Sequence, residues 1–82
     1  MIVLRELRRD ILGEDLTSQA TGHNDTFTTA YDFKDGTLRV YVNGQRLIED
    51  TDYTVIASDQ FQLIHYVPKH WFDIVVDYRR DF

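Results

Sequence analysis

The sequence predicts an all-β chain folded as a small antiparallel β-sandwich. Three observations carry that expectation. From Thr26 onward, short runs of β-branched and aromatic residues alternate between apolar and polar positions. Turn signals separate the runs, foremost Asn43-Gly44, which supplies the positive φ angles of a type I′ hairpin. After residue 16 no stretch keeps a helical period, so there are no crossover helices to build a parallel sheet.

Residues 1–16 are expected to form an N-terminal arm ahead of a single sandwich domain over residues 17–82. Leu4, Leu7, Ile11 and Leu12 have helical spacing, but Ile2, Leu4 and Glu6 also suit an extended chain. A helix this short without an N-cap is marginal in isolation, which favours an extended or strand-like arm. The polar segment Thr17 to Asp25 reads as the loosest part of the chain. Thr26 to Thr29 is the first strand candidate. Thr37 to Val42 sets Leu38, Val40 and Val42 on one face and Thr37, Arg39 and Tyr41 on the other. After the Asn43-Gly44 turn, Gln45 to Ile48 is the returning strand. Glu49 to Asp52 breaks the pattern, Tyr53 to Ala57 resumes it, and Ser58-Asp59 turns the chain again. Gln60 to Tyr66 alternates with Phe61, Leu63 and His65 on one side. A loop around Pro68 leads to the last strand, Phe72 to Arg79, with Phe72, Ile74, Val76 and Tyr78 on one face. Strands of this length with short turns suit an immunoglobulin-like or jelly-roll-like sandwich.

The chain has 82 residues and no cysteine. One domain of that size gains only about 3–5 kcal/mol from its core. With no disulfide framework to add to it, either a well-packed core or assembly, with copies of itself or with a partner, must stabilise the chain, and a homo-oligomer is the expectation. The net charge of −5 makes the chain a poor nucleic-acid binder, because affinity for phosphates comes from Lys and Arg. Arg5, Arg8, Arg9, Arg79 and Arg80 cluster near the ends but are interrupted by acids. No apolar run approaches the ~18–20 residues of a membrane span, and Met1 to Leu4 is too short for a signal peptide, so synthesis and folding in a cytoplasm are expected.

Catalysis and metal binding find little footing. His23, His65 and His70 lack the spacing of zinc ligand pairs. Glu49, Asp50 and Asp52 lack the glycine and ligand spacing of a calcium loop. There is no nucleophile elbow and no glycine-rich phosphate loop. The expectation is a non-enzymatic domain without cofactors.

The stretch from Val40 to Leu47, followed by Asp52 to Val55, is the informative motif. Asp52 is placed to accept hydrogen bonds from turn backbone. Tyr53 is placed to put its ring in the core and its hydroxyl near an edge. Here the chain resembles β-sandwich modules of bacteriophage tail, tail-fibre, neck and capsid-associated proteins. The resemblance rests on Asn24, Thr26-Phe27-Thr28, Leu38, Val40, Val42-Asn43-Gly44, Leu47, Asp52-Tyr53-Thr54-Val55, Leu63, Pro68 and Val76-Asp77-Tyr78, and it covers residues 22–78. Two positions depart from the pattern. Asp50 stands where the family usually has glycine, and the loop from Lys69 to Asp73 replaces a Gly-Asp turn.

The resemblance implies a structural or adhesive role in the virion, with capsid, portal, neck or tail proteins as partners. A capsid decoration or cement protein and a neck, tail or fibre adaptor both fit. The motif residues Asn43, Gly44, Leu47, Asp52, Tyr53, Thr54 and Tyr78 are expected to be structural. The candidate interface is Leu4, Arg5, Leu7, Arg8 and Arg9 of the arm with Trp71 and Phe72 of the loop, since Trp and Arg are typical hot spots. An alternative reading is a monomeric carbohydrate- or surface-binding module. It requires Tyr31, Tyr41, Tyr66 and Trp71 to gather on one exposed face.

Overall fold

A computed structural model describes residues 10–81. Seven strands follow in chain order: β1 Asp10–Asp15, β2 Thr26–Thr28, β3 Arg39–Val42, β4 Gln45–Arg46, β5 Tyr53–Ala57, β6 Gln60–Leu63 and β7 Ile74–Arg79. They form two antiparallel sheets, a four-stranded one in the order β1-β7-β3-β4 and a three-stranded one in the order β2-β6-β5. The fold is the expected all-β sandwich.

The alternation explains which side chains lie between the sheets. Val40 and Val42 of β3, Ile74, Val76 and Tyr78 of β7, Phe27 of β2, and Phe61 and Leu63 of β6 are all buried. Phe27 and Phe61 stack at 5.6 Å between centroids, and Tyr53 meets Phe61 edge-on at 5.7 Å. Leu16, Ala20, Phe33 and Leu38 close the core from the connections.

Several expected boundaries move. The returning strand stops at Arg46, and the last strand begins at Ile74 rather than Phe72. The strand expected over Gln60 to Tyr66 ends at Leu63, and His65, placed on its inner face, is exposed.

Of the stretch expected as an arm, residues 1–9 lie outside those described. Residues 10–15 form β1, paired along β7 from Asp10↔Arg79 to Asp15↔Val75. The helical spacing of Ile11 and Leu12 is not used. Ile11 packs against the core while Leu12 is 78% exposed. The register shifts between Ile11 and Glu14, where Gly13 takes a φ of +74°. Glycine meets that conformation without the clash of a Cβ, and the Gly13 N–H donates to Asp77 Oδ1 at 2.7 Å.

The polar segment after β1 is tied down more firmly than its composition suggests. A single 3-10 turn, Thr17–Gln19, follows the buried Leu16. From it the Gln19 side-chain amide donates to the Thr28 carbonyl at 2.8 Å and accepts from the Thr28 N–H at 2.9 Å.

Candidate interaction surface

The motif residues act on the fold from three places. Asn43 and Gly44 have φ angles of +52° and +82°, as a type I′ turn requires. Asn43 also latches the hairpin tip to the start of β7. Its N–H donates to the Asp73 carbonyl at 2.8 Å, and its side-chain oxygen accepts the Asp73 N–H at 2.9 Å. Leu47 packs against the core from the end of the hairpin. Asp52 Oδ2 accepts the Ile48 N–H at 2.8 Å and closes the turn that contains Asp50. Thr54 pairs with Gln62 across β5 and β6.

Tyr53 and Tyr78 are buried phenols with different partners. Tyr53 donates to the Leu38 carbonyl at 3.2 Å, joining β5 to the entry of β3 in the other sheet. Its pKa is pushed up to about 12, first by burial and then by the Glu49 carboxylate. Tyr78 donates to the Glu14 carboxylate and accepts the Tyr31 N–H at 3.3 Å. Burial and then the Glu14 hydrogen bond raise its pKa as well. Both phenols are therefore neutral donors at ordinary pH and hold elements together.

The exposed chemistry gathers on the connection between β6 and β7. Trp71 is 65% exposed, and Ile64, Tyr66 and Val67 are also exposed, each by just under half. A turn, in which the Phe72 N–H donates to the Lys69 carbonyl at 3.0 Å, sends Phe72 inward onto the core and Trp71 outward. The rings form a chain of edge contacts: Tyr66 to Phe72 at 6.0 Å, Phe72 to Trp71 at 6.3 Å, and Trp71 to His70 at 4.9 Å. Phe72 thus supports an aromatic strip that Trp71 presents. Lys69 and Asp73 flank these rings in the chain, and His65 Nε2 lies 2.8 Å from the Thr51 carbonyl.

The two halves of the expected interface stand differently. Trp71 and Phe72 meet as described, whereas Leu4, Arg5, Leu7, Arg8 and Arg9 lie outside the described residues. The aromatics of the carbohydrate reading do not gather on one face. Tyr66 and Trp71 share the strip at the start of β7. Tyr31 lies beyond the other end of that strand under the Arg80 guanidinium, 3.8 Å from its ring centroid. Tyr41 pairs with Val75 and Arg46 on the outer face of the four-stranded sheet.

One surface had no place in the sequence reading: the outer edge of β5, with Ile56 47% exposed. The signal was present, because Ile56 falls on the polar side of the alternation through Tyr53, Val55 and Ala57. Among the described residues no group of three His, Cys, Asp or Glu side chains is placed to hold a metal ion. Comparison with protein-family models, curated proteins and solved structures returned no match.

Proposed function

We propose that this chain is a non-enzymatic structural component of a bacteriophage virion. It would serve as a capsid decoration or cement protein or as a neck, tail or fibre adaptor, working through protein–protein contacts and assembling with copies of itself. The aromatic strip of Tyr66, Phe72 and Trp71 is the observation that supports this best. A largely exposed Trp in edge contact with a core-packed Phe has the make-up of an interface hot spot. The motif resemblance over residues 22–78 supplies the virion as the setting.

Antibody against the purified protein tests the reading on density-gradient fractions of phage particles from cells that produce it. Antigen banding with intact particles, and lost from them in a Trp71→Ala variant, is the expected result. Antigen confined to the free-protein fractions would remove the proposal.

The carbohydrate reading keeps a smaller footing, because Tyr66 and Trp71 alone share an exposed site. A glycan array distinguishes it: saturable binding by the wild type that disappears in Trp71→Ala would favour it over the virion role.

A further inference from the structure

The chain has two asparagines, Asn24 and Asn43, and they stand in different chemical positions. Asn24 precedes Asp25, whose side chain hinders attack by the nitrogen that follows. Both ends of the Asn24 amide are tied: Nδ2 donates to the Gln19 carbonyl and Oδ1 accepts the Thr26 N–H, each at 3.1 Å. Asn43 precedes Gly44, which has no Cβ to stand in the way, and both residues are exposed at the tip of the β3–β4 hairpin. An asparagine before glycine is the pair in which the next main-chain nitrogen most readily attacks the side-chain amide.

That attack joins the Gly44 nitrogen to Asn43 Cγ. The tetrahedral intermediate expels Nδ2 as ammonia, and the Gly44 N–H proton leaves with it. A five-membered succinimide remains. Water then opens the ring at either of its two carbonyls and returns a proton to the nitrogen. The product at position 43 is aspartate or isoaspartate. One water is consumed, one ammonia is released, and nothing is oxidised or reduced.

The native hairpin keeps the reacting atoms apart. Ring closure requires the next nitrogen to eclipse Cβ about the Cα–C bond. The φ angles of +52° at Asn43 and +82° at Gly44 belong to a type I′ turn. The first central residue of such a turn has a ψ of about +30°, which puts the next nitrogen nearly opposite Cβ. The tip is also clamped twice to Asp73. The Asn43 N–H donates to the Asp73 carbonyl at 2.8 Å, and Asn43 Oδ1 accepts the Asp73 N–H at 2.9 Å. Turning the side chain onto Gly44 therefore breaks the side-chain clamp, and turning ψ breaks the hairpin.

We propose that Asn43 is the chain's site of spontaneous deamidation and that the double clamp to Asp73 gates it, so that only chains whose hairpin tip has come away react. The isoaspartate product carries one extra carbon in the main chain at the turn. The pairing of Tyr41 with Arg46 and Val42 with Gln45 cannot be rebuilt across a two-residue turn of that length. A transient opening thereby becomes permanent. The reaction is independent of where the protein acts.

Trypsin releases residues 40–46 as one peptide, so deamidation is read there as the mass gain on exchange of NH2 for OH. The full chain and a synthetic peptide of residues 40–46 are incubated side by side at mildly alkaline pH. The peptide is expected to react about a hundredfold faster than the folded chain. Hydrogen exchange at the Asn43 amide gives the fraction of open tips, and the folded chain should react at that fraction of the peptide's rate. Asp73→Pro removes the N–H that holds Oδ1. It should raise the rate about tenfold in a chain whose circular dichroism is still that of wild type. A folded chain that reacts as fast as the peptide would overturn the inference. So would reaction at Asn24 ahead of Asn43, or a folded Asp73→Pro variant no faster than wild type. Should that variant fail to fold, agreement or disagreement between amide exchange and reaction rate decides alone.

Discussion

Asp50 adopts a φ of +69°, a region in which a side chain costs roughly 1–2 kcal/mol. It sits in the turn closed by Asp52, at the position where the resembled phage modules usually have glycine. Aspartate is among the better tolerated residues there, but glycine carries no such penalty. Asp50→Gly is therefore expected to raise stability by about 0.5–1 kcal/mol, seen as a higher denaturant midpoint at unchanged slope. Tyr53 gives a second prediction at this scale. Its phenol is held above its ordinary value of 10.0, at about 12, in the folded chain. A raised folded pKa means that the neutral form is favoured by folding. Its contribution is complete below pH 10 and is lost as pH climbs from 10 toward 12. Tyr53→Phe should cost about 1 kcal/mol at neutral pH by removing the bond to Leu38. It should also flatten part of the alkaline fall in a pH series of urea melts.

Elements were legible in the sequence where side chains alternate, and obscure where a remote partner decides. β3 was readable because Leu38, Val40 and Val42 alternate cleanly into Asn43-Gly44, and the turn chemistry is local. β4 was overestimated because the turn closed by Asp52, whose carboxylate accepts the Ile48 N–H, bends the chain away after Leu47 although β3 continues. Trp71 and Phe72 are neighbours of similar character, yet one is exposed and the other packs on the core. Only the turn from Lys69 to Phe72 separates them. The Gln19 clamp was invisible because a glutamine in a polar segment looks like surface. Its pairing with Thr28 is nonetheless what finishes the edge of β2. Gln19→Ala should cost about 1–2 kcal/mol, since it removes two hydrogen bonds at a half-buried site. It should also accelerate hydrogen exchange at the Thr28 amide more than at Phe61 in the neighbouring strand.

At the level of the whole molecule, the proposed docking would draw on other residues than stability does. The core residues Phe27 and Phe61 hold the sheets together, and Phe61→Ala should cost about 3–5 kcal/mol, enough to unfold a domain of this size at room temperature. Trp71 lies largely in solvent, so Trp71→Ala should leave the melting temperature nearly unchanged, within about 0.5 kcal/mol. On the proposed virion role, the same variant should fail to band with particles. Parallel loss of melting temperature and association would instead mean that Trp71 supports the fold.

The four-stranded sheet places β7 between β1 and β3, although β7 follows both, and every other strand of the described residues, in the chain. On the ribosome, β2, β5 and β6 can emerge and pair while the larger sheet still lacks its middle. β1 and β3 then have no common neighbour until residues 74–79 have left the exit tunnel. Closure of the sandwich thus waits until residues 74–79 are free to pair. A nascent chain stalled near Tyr66 would display Val40 and Val42 without their β7 neighbours, a natural target for a chaperone that holds such chains.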